Sequence, residues 1–214
     1  ETYFKDVGID IKVANELLEK RADLYRAINP ETTVVCGDIT KDEVFSKILA
    51  SCPKKVDFIL ASPPCQGMSV AGKNRCQKTM EADERNYLIT YVVKAIKATN
   101  PDYILVENVP ALLKLELQYA GKYRTVLDIL QYEFGDQYEI DSMVVDSADY
   151  VVPQTRLRAI IKMNRKGKKW SWPLKKDKIT VRDVIGHLPS LEAGERSEIK
   201  WHFARKHSKD NILW

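Results

Sequence analysis

Short apolar runs that alternate with longer stretches of helical period constrain this chain more than any other feature. Gly8-Ile9-Asp10-Ile11-Lys12-Val13-Ala14 reads as a strand. Leu17 to Ile28 reads as a helix with Leu17, Leu18, Ala22, Leu24, Tyr25 and Ile28 at helical spacing, ended by Asn29-Pro30. Thr33-Val34-Val35-Cys36 is a second strand closed by Gly37-Asp38, Asp42 to Ala50 a short helix, and Val56 to Ala61 a third strand. The same rules give a helix over Asp83 to Ala98, a buried strand over Tyr103 to Val106 and a helix over Tyr119 to Tyr132. Met143-Val144-Val145 and Ala159-Ile160-Ile161 then read as two neighbouring strands around the loop Asp149 to Arg158. Such alternation predicts an α/β domain with a mostly parallel sheet. From Arg165 onward the period fades and Lys, Trp and Pro gather, as in Lys169-Trp170-Ser171-Trp172-Pro173. The expected organisation is a core over 1–164 and a basic connector over 165–214.

With 214 residues, 44% hydrophobic and 30% charged, the chain has enough apolar surface for one substantial core. It contains no apolar run of the roughly 18 residues a membrane helix needs. Glu1 to Asp6 lacks the basic start and apolar run of an export signal. Cys36, Cys52, Cys65 and Cys76 form no Cys-x-x-Cys pair, which argues against zinc and for a reducing, cytoplasmic setting. The net charge of +4 conceals an asymmetry. Lys162 to Arg182 holds nine Lys/Arg against one acid, Asp177, and so carries +8, leaving −4 on the remainder. A solvated linker and a surface for a polyanion both fit that segment.

Ligands of open α/β sheets sit beyond the carboxyl ends of the strands, which selects Glu16, Asp38, Pro63-Pro64-Cys65-Gln66, Glu107-Asn108-Val109 and Gln154 to Arg158. Considered by itself, Cys65 reads as an ordinary buried cysteine. Two prolines before it and Gly67 after it instead hold the thiol on a stiff loop at a strand end. Glu107 reads either as a carboxylate at the mouth of the sheet or as a cap on the next segment. In Gln154-Thr155-Arg156-Leu157-Arg158, alternation places both arginines on one face with Gln154. A solvated basic strand end is the plainer alternative.

Pro64-Cys65-Gln66, Glu107-Asn108-Val109 and Gln154-x-Arg156-x-Arg158 occur in the order and near the spacing of three signature motifs. In this the chain resembles the DNA cytosine-5 methyltransferase family, of a bacterial restriction-modification type. Asn15-Glu16, Gly37-Asp38-Ile39 and Asp83 to Leu88 resemble weaker motifs of that family, so the likeness runs from about residue 8 to about 163. His202-x-Ala204 resembles the stretch leading into its target-recognition region. The resemblance implies a doubly wound, Rossmann-like class I methyltransferase core that uses S-adenosylmethionine on double-stranded DNA, with no metal and no membrane.

Each role follows from that resemblance. Cys65 is expected to add to C6 of a flipped-out cytosine, and Glu107 to act at N3. Arg158 is expected at O2, Arg156 to order the cysteine loop, and Gln66 and Asn108 to complete the catalytic set. Glu16, Leu17, Asp38, Ile39, Pro63 and Leu88 are expected around the cofactor. Ser69, Lys73, Arg75 and Gln154 are expected on DNA. The family's Phe-x-Gly-x-Gly motif does not occur, and none of the nine glycines forms a Gly-x-Gly. The expectation is therefore an N-terminally truncated fragment without the target-recognition domain, or one piece of a split or permuted enzyme whose missing motifs a complementary chain supplies, inactive by itself, in a bacterial cytoplasm and nucleoid-associated when on DNA. A tRNA-methylating relative and a catalytically dead DNA-binding relative are the rivals.

Overall fold

The computed structural model describes residues 3–64 and 84–207. Strand β1 (Val13–Glu16) pairs in parallel with β2 (Thr33–Cys36), with helix α1 (Glu19–Ile28) between them in sequence. Helix α2 (Asp42–Ser51) leads to β3 (Phe58–Ala61). After the 3-10 turn Glu84–Leu88 come α3 (Ile89–Thr99) and β4 (Tyr103–Asn108). A hairpin of β5 (Glu116–Tyr119) and β6 (Lys122–Thr125) precedes α4 (Val126–Phe134). The long strands β7 (Tyr138–Asp146) and β8 (Leu157–Arg165) follow, and a short α5 (Val181–Ile185) comes last.

The main sheet has the order β3-β4-β8-β7, with β3 parallel and β8 antiparallel to β4. β4 is buried at alternate positions. Ile104 and Val106 therefore share a face with Met163 and Ile161, their partners in β8, and that face joins Ile89, Val92, Val93 and Ile96 of α3 and Ile129, Leu130 and Phe134 of α4 in one core. Each such fully buried side chain stabilises the fold by about 1.5–3 kcal/mol. The opposite face carries Phe58 and Leu60 beside Tyr103, Leu105 and Glu107. Trp170 lies edge-on to Phe58 and Tyr103, at 6.2 and 5.6 Å between ring centroids. The buried Lys162 donates to the Trp170 carbonyl and lies 5.0 Å from the centre of the Trp172 ring.

Several elements differ from expectation. The first strand starts at Val13, because pairing with Thr33 sets its beginning, and residues 5–7 instead form a 3-10 turn. The segment Tyr119 to Tyr132 is a hairpin end followed by α4, since Ala120 and Gly121 both take positive φ and Thr125 caps the helix reciprocally with Asp128. β4 extends through Glu107 and Asn108 because β8 continues to pair with it.

Two compact units result: 1–145 with 157–173, and 146–156 with 174–214. No helix among the described residues is long and apolar enough to cross a membrane.

Candidate active site

The antiparallel register places Ile160 opposite Glu107 and Ala159 opposite Asn108. Arg158 is then the diagonal neighbour of Glu107 on the same face of the sheet. Its Nε lies 2.7 Å from Glu107 Oε1, with the two side chains 22% and 34% exposed. The guanidinium also donates from Nη1 to the Leu157 carbonyl at 2.7 Å. Half-buried pairing of this kind holds both groups in one orientation while leaving an edge open to a ligand.

Asn108 points to the other face and is buried. Its Nδ2 donates to the Pro63 carbonyl at 2.9 Å, and its Oδ1 accepts the Val109 amide at 2.8 Å. The strand end that carries Glu107 is thereby tied to the chain just before Cys65. Cys65, Gln66, Ser69, Lys73 and Arg75 lie outside the described residues.

A cleft of about 480 Å3 is lined by Leu60, Ser62, Leu105 and Glu107 from the sheet and by Tyr25, Ile28 and Asn29 from the end of α1, with Phe4. Sequence reasoning had no signal for Leu60 and Leu105 as lining residues, because apolar strand positions are equally suited to a core.

Glu16 is the last residue of β1, and its Oε1 accepts the Leu18 amide at 3.0 Å. Leu17 beside it is 61% exposed. Asp38 follows the neighbouring parallel strand, where its Oδ1 accepts both the amide and the hydroxyl of Thr40, at 2.9 and 2.8 Å. The Thr40 amide above all, and then its hydroxyl, hold this carboxylate below its ordinary pKa. Gly37 precedes it with φ 144°, and a Cβ there would meet Val44 Cγ2 at 2.9 Å. Ile39 lies half-buried in the same turn. Leu88 ends the 3-10 turn before α3; from that helix Tyr91 donates its hydroxyl to the Thr40 carbonyl at 3.1 Å and packs edge-on against Phe45. The structure thus gathers Glu16, Leu17, Asp38 and Ile39 at adjacent strand ends, with the helix after Leu88 anchored to the Asp38 turn.

Gln154 and Arg156 are not in an extended strand. β8 begins at Leu157, and the loop before it curls because Asp146 Oδ1 accepts the Arg156 amide at 2.8 Å while Ser147 donates its hydroxyl to the Gln154 carbonyl at 2.6 Å. Asp146 and Ser147 were missed by sequence reasoning, although an Asp-Ser pair at a strand end is a turn signal.

A family model described as C-5 cytosine-specific DNA methylase matches residues 1–214. The chain belongs to the C-5 cytosine-specific DNA methylase family. This methylase chain is 52% identical over 215 residues to the Type II methyltransferase M1.HgaI of Avibacterium volantium, a match covering 100% of the chain and 60% of that protein. It is 33% identical over 207 residues to M1.HphI of Haemophilus parahaemolyticus, covering 96% of the chain and 54% of that protein. The methylase chain therefore spans a little over half the length of these relatives. Its fold matches the crystal structure of a prophage-encoded DNA modification methyltransferase of E. coli with a TM-score of 0.64 at 24% identity, over 87% of this chain and 51% of that one. A DNMT2 structure from Spodoptera frugiperda gives 0.55, also at 24% identity, over 84% and 50%. At these identities the two structures speak for the α/β class I methyltransferase fold alone.

Proposed function

We propose that this chain carries the chemistry for methylating C5 of a flipped-out cytosine in DNA, through a covalent bond between Cys65 and C6. The observation that carries the reading is the Glu107–Arg158 pair at the end of β4, beside Asn108 bound to the Pro63 carbonyl. Cytosine C5 is a weak nucleophile, and addition of a thiolate to C6 moves electron density onto C5. That addition places negative charge on the ring at N3 and O2. Glu107, as its acid, would donate to N3, while the planar guanidinium of Arg158 would donate to O2. Without a base the two side chains satisfy each other; an entering ring would exchange their mutual contact for contacts to its own edge. Asn108 would fix the start of the nucleophile loop against the strand that bears the acid. Once C5 has taken the methyl group, a base removes the C5 proton, and the C5–H electrons re-form the C5–C6 double bond as the Cys65–C6 bond breaks, its electrons returning to sulfur.

The donor set fits S-adenosylmethionine. Glu16 would hold its ribose hydroxyls, Asp38 and Ile39 its adenine, and Leu17, Pro63 and Leu88 the surrounding wall. Bound there, the sulfonium would supply an electrophilic methyl group. Gln66 is assigned to the nucleophile loop, Arg156 to ordering that loop, and Ser69, Lys73, Arg75 and Gln154 to DNA. Double-stranded DNA is the proposed substrate.

The full protein, given a duplex with 5-fluorocytosine at its target site and the cofactor, should form a covalent complex that survives denaturation. Cys65→Ser should abolish that complex and turnover while duplex binding persists. Trapping that persists in Cys65→Ser would remove Cys65 as the nucleophile, and methylation of tRNA in place of duplex would reassign the substrate.

A further inference from the structure

The loop 146–156 and the segment from Leu174 onward form one compact unit, and Asp149 joins them at three points. Asp149 lies in the 3-10 turn Ser147–Tyr150 with its side chain only 15% exposed. Its Oδ2 meets Lys175 Nζ at 2.7 Å, its Oδ1 meets Lys178 Nζ at 3.3 Å, and its backbone carbonyl accepts the Lys176 amide at 2.9 Å. The lysines themselves are 68% and 63% exposed. The same turn holds the far end of the loop. Asp146 Oδ1 accepts the Ala148 and Arg156 amides, Ser147 donates its amide to the Arg156 carbonyl at 3.2 Å, and the Ser147 hydroxyl binds the Gln154 carbonyl. Between these ties Val151 has φ 62°, a left-handed conformation that a β-branched residue keeps only where its surroundings over-determine it.

We propose that Asp149 is a positioning residue. By fastening the Lys175–Lys178 segment to this turn, it holds Gln154 and Arg156 in the conformation in which they serve methyl transfer, a role that rests on the function proposed above. Attraction from Lys175 first, and then Lys178, keeps its carboxyl below the usual range, so the tie is fully charged at neutral pH.

The test uses the full protein. Asp149→Asn keeps the shape and removes the charge, and Lys175→Ala with Lys178→Ala removes the same tie from the solvent side, where folding is not at risk. Amide hydrogen exchange at Lys176 and at Arg156 should accelerate together, by about tenfold or more, in both variants, while Leu105 in β4 stays protected. In parallel kcat should fall about ten- to a hundredfold with KM for S-adenosylmethionine unchanged, and Asp149→Glu should recover part of the loss. Acceleration at Lys176 without Arg156, or faster exchange with unaltered kcat, overturns the proposal. If the unaltered protein shows no methyl transfer, the methylation reading is what fails, and the exchange data still decide whether Asp149 holds the loop.

Discussion

Glu107 and Arg158 meet because an antiparallel ladder crosses the sheet between them. Each was legible as a motif residue, Glu107 from its place after an apolar run and Arg158 from its alternation with Gln154 and Arg156. Their contact was not, since a register between distant strands is set by packing and by hydrogen bonds spread over the whole sheet. The pair sits half-exposed, so its value is in orientation more than in stability. Glu107→Gln should lower kcat by about 10²–10⁴, the usual contribution of a positioned acid. Arg158→Ala should cost about 10²–10³, as loss of a charge-stabilising donor does. The double variant should lose far less than the two losses combined, because the groups act on one ring as a unit. Additive losses in single-turnover assays would mean that the two work independently.

At the scale of elements, the alternating pattern delivered β2, α2 and the placement of the late strands, and it erred where turn chemistry overrode period. The hairpin β5-β6 hides in a stretch whose apolar spacing also suits a helix. Its turn residues decide the matter: Ala120 at φ 49° and Gly121 at φ 76° form a tight two-residue turn of the kind strand twist favours. Ala120 is strained there, because its Cβ crowds the following carbonyl. Ala120→Gly should therefore raise stability by about 1 kcal/mol, seen as a higher Tm; an unchanged or lower Tm would contradict the strain.

The hairpin is also fastened to α4 by Tyr119, whose hydroxyl donates to Glu133 Oε1 at 2.5 Å, with Lys97 on the other carboxylate oxygen. Burial first, and then the Glu133 contact, push the Tyr119 hydroxyl up to about 12. The folded state thus favours the neutral phenol. This contribution is complete below the ordinary tyrosine pKa of about 10 and is lost as pH rises from there to about 12. Urea titrations across that window should show a decline in stability that Tyr119→Phe removes; the same decline in the variant would assign it to other groups.

Over the whole molecule, the α/β class was readable from apolar runs alternating with helical stretches, and the family from the polar motifs at the strand ends. The division into two compact units was not readable. It depends on ties such as those of Asp149 to Lys175 and Lys178, far along the chain, and nothing in local period announces them. The core of the larger unit runs through Ile161 of β8, fully buried beside its β4 partner Val106 and in one cluster with the helix residues. Ile161→Ala should destabilise that unit by about 2–5 kcal/mol, from lost transfer energy and the cavity left behind. A smaller loss in chemical denaturation would show that the neighbouring side chains collapse into the space.

The indole rings offer a spectroscopic handle on this organisation. Trp170 and Trp172 are half-buried on the larger unit, beside Lys162, whereas Trp201 in the smaller unit is 80% exposed with φ 70°. Emission from the first two should shift to the red only when the segment leaves the sheet, while Trp201 begins near the wavelength of solvated indole. With Trp201 and Trp214 both replaced by Phe, intrinsic fluorescence during unfolding would therefore report release of that segment, free of signal from the other two indoles.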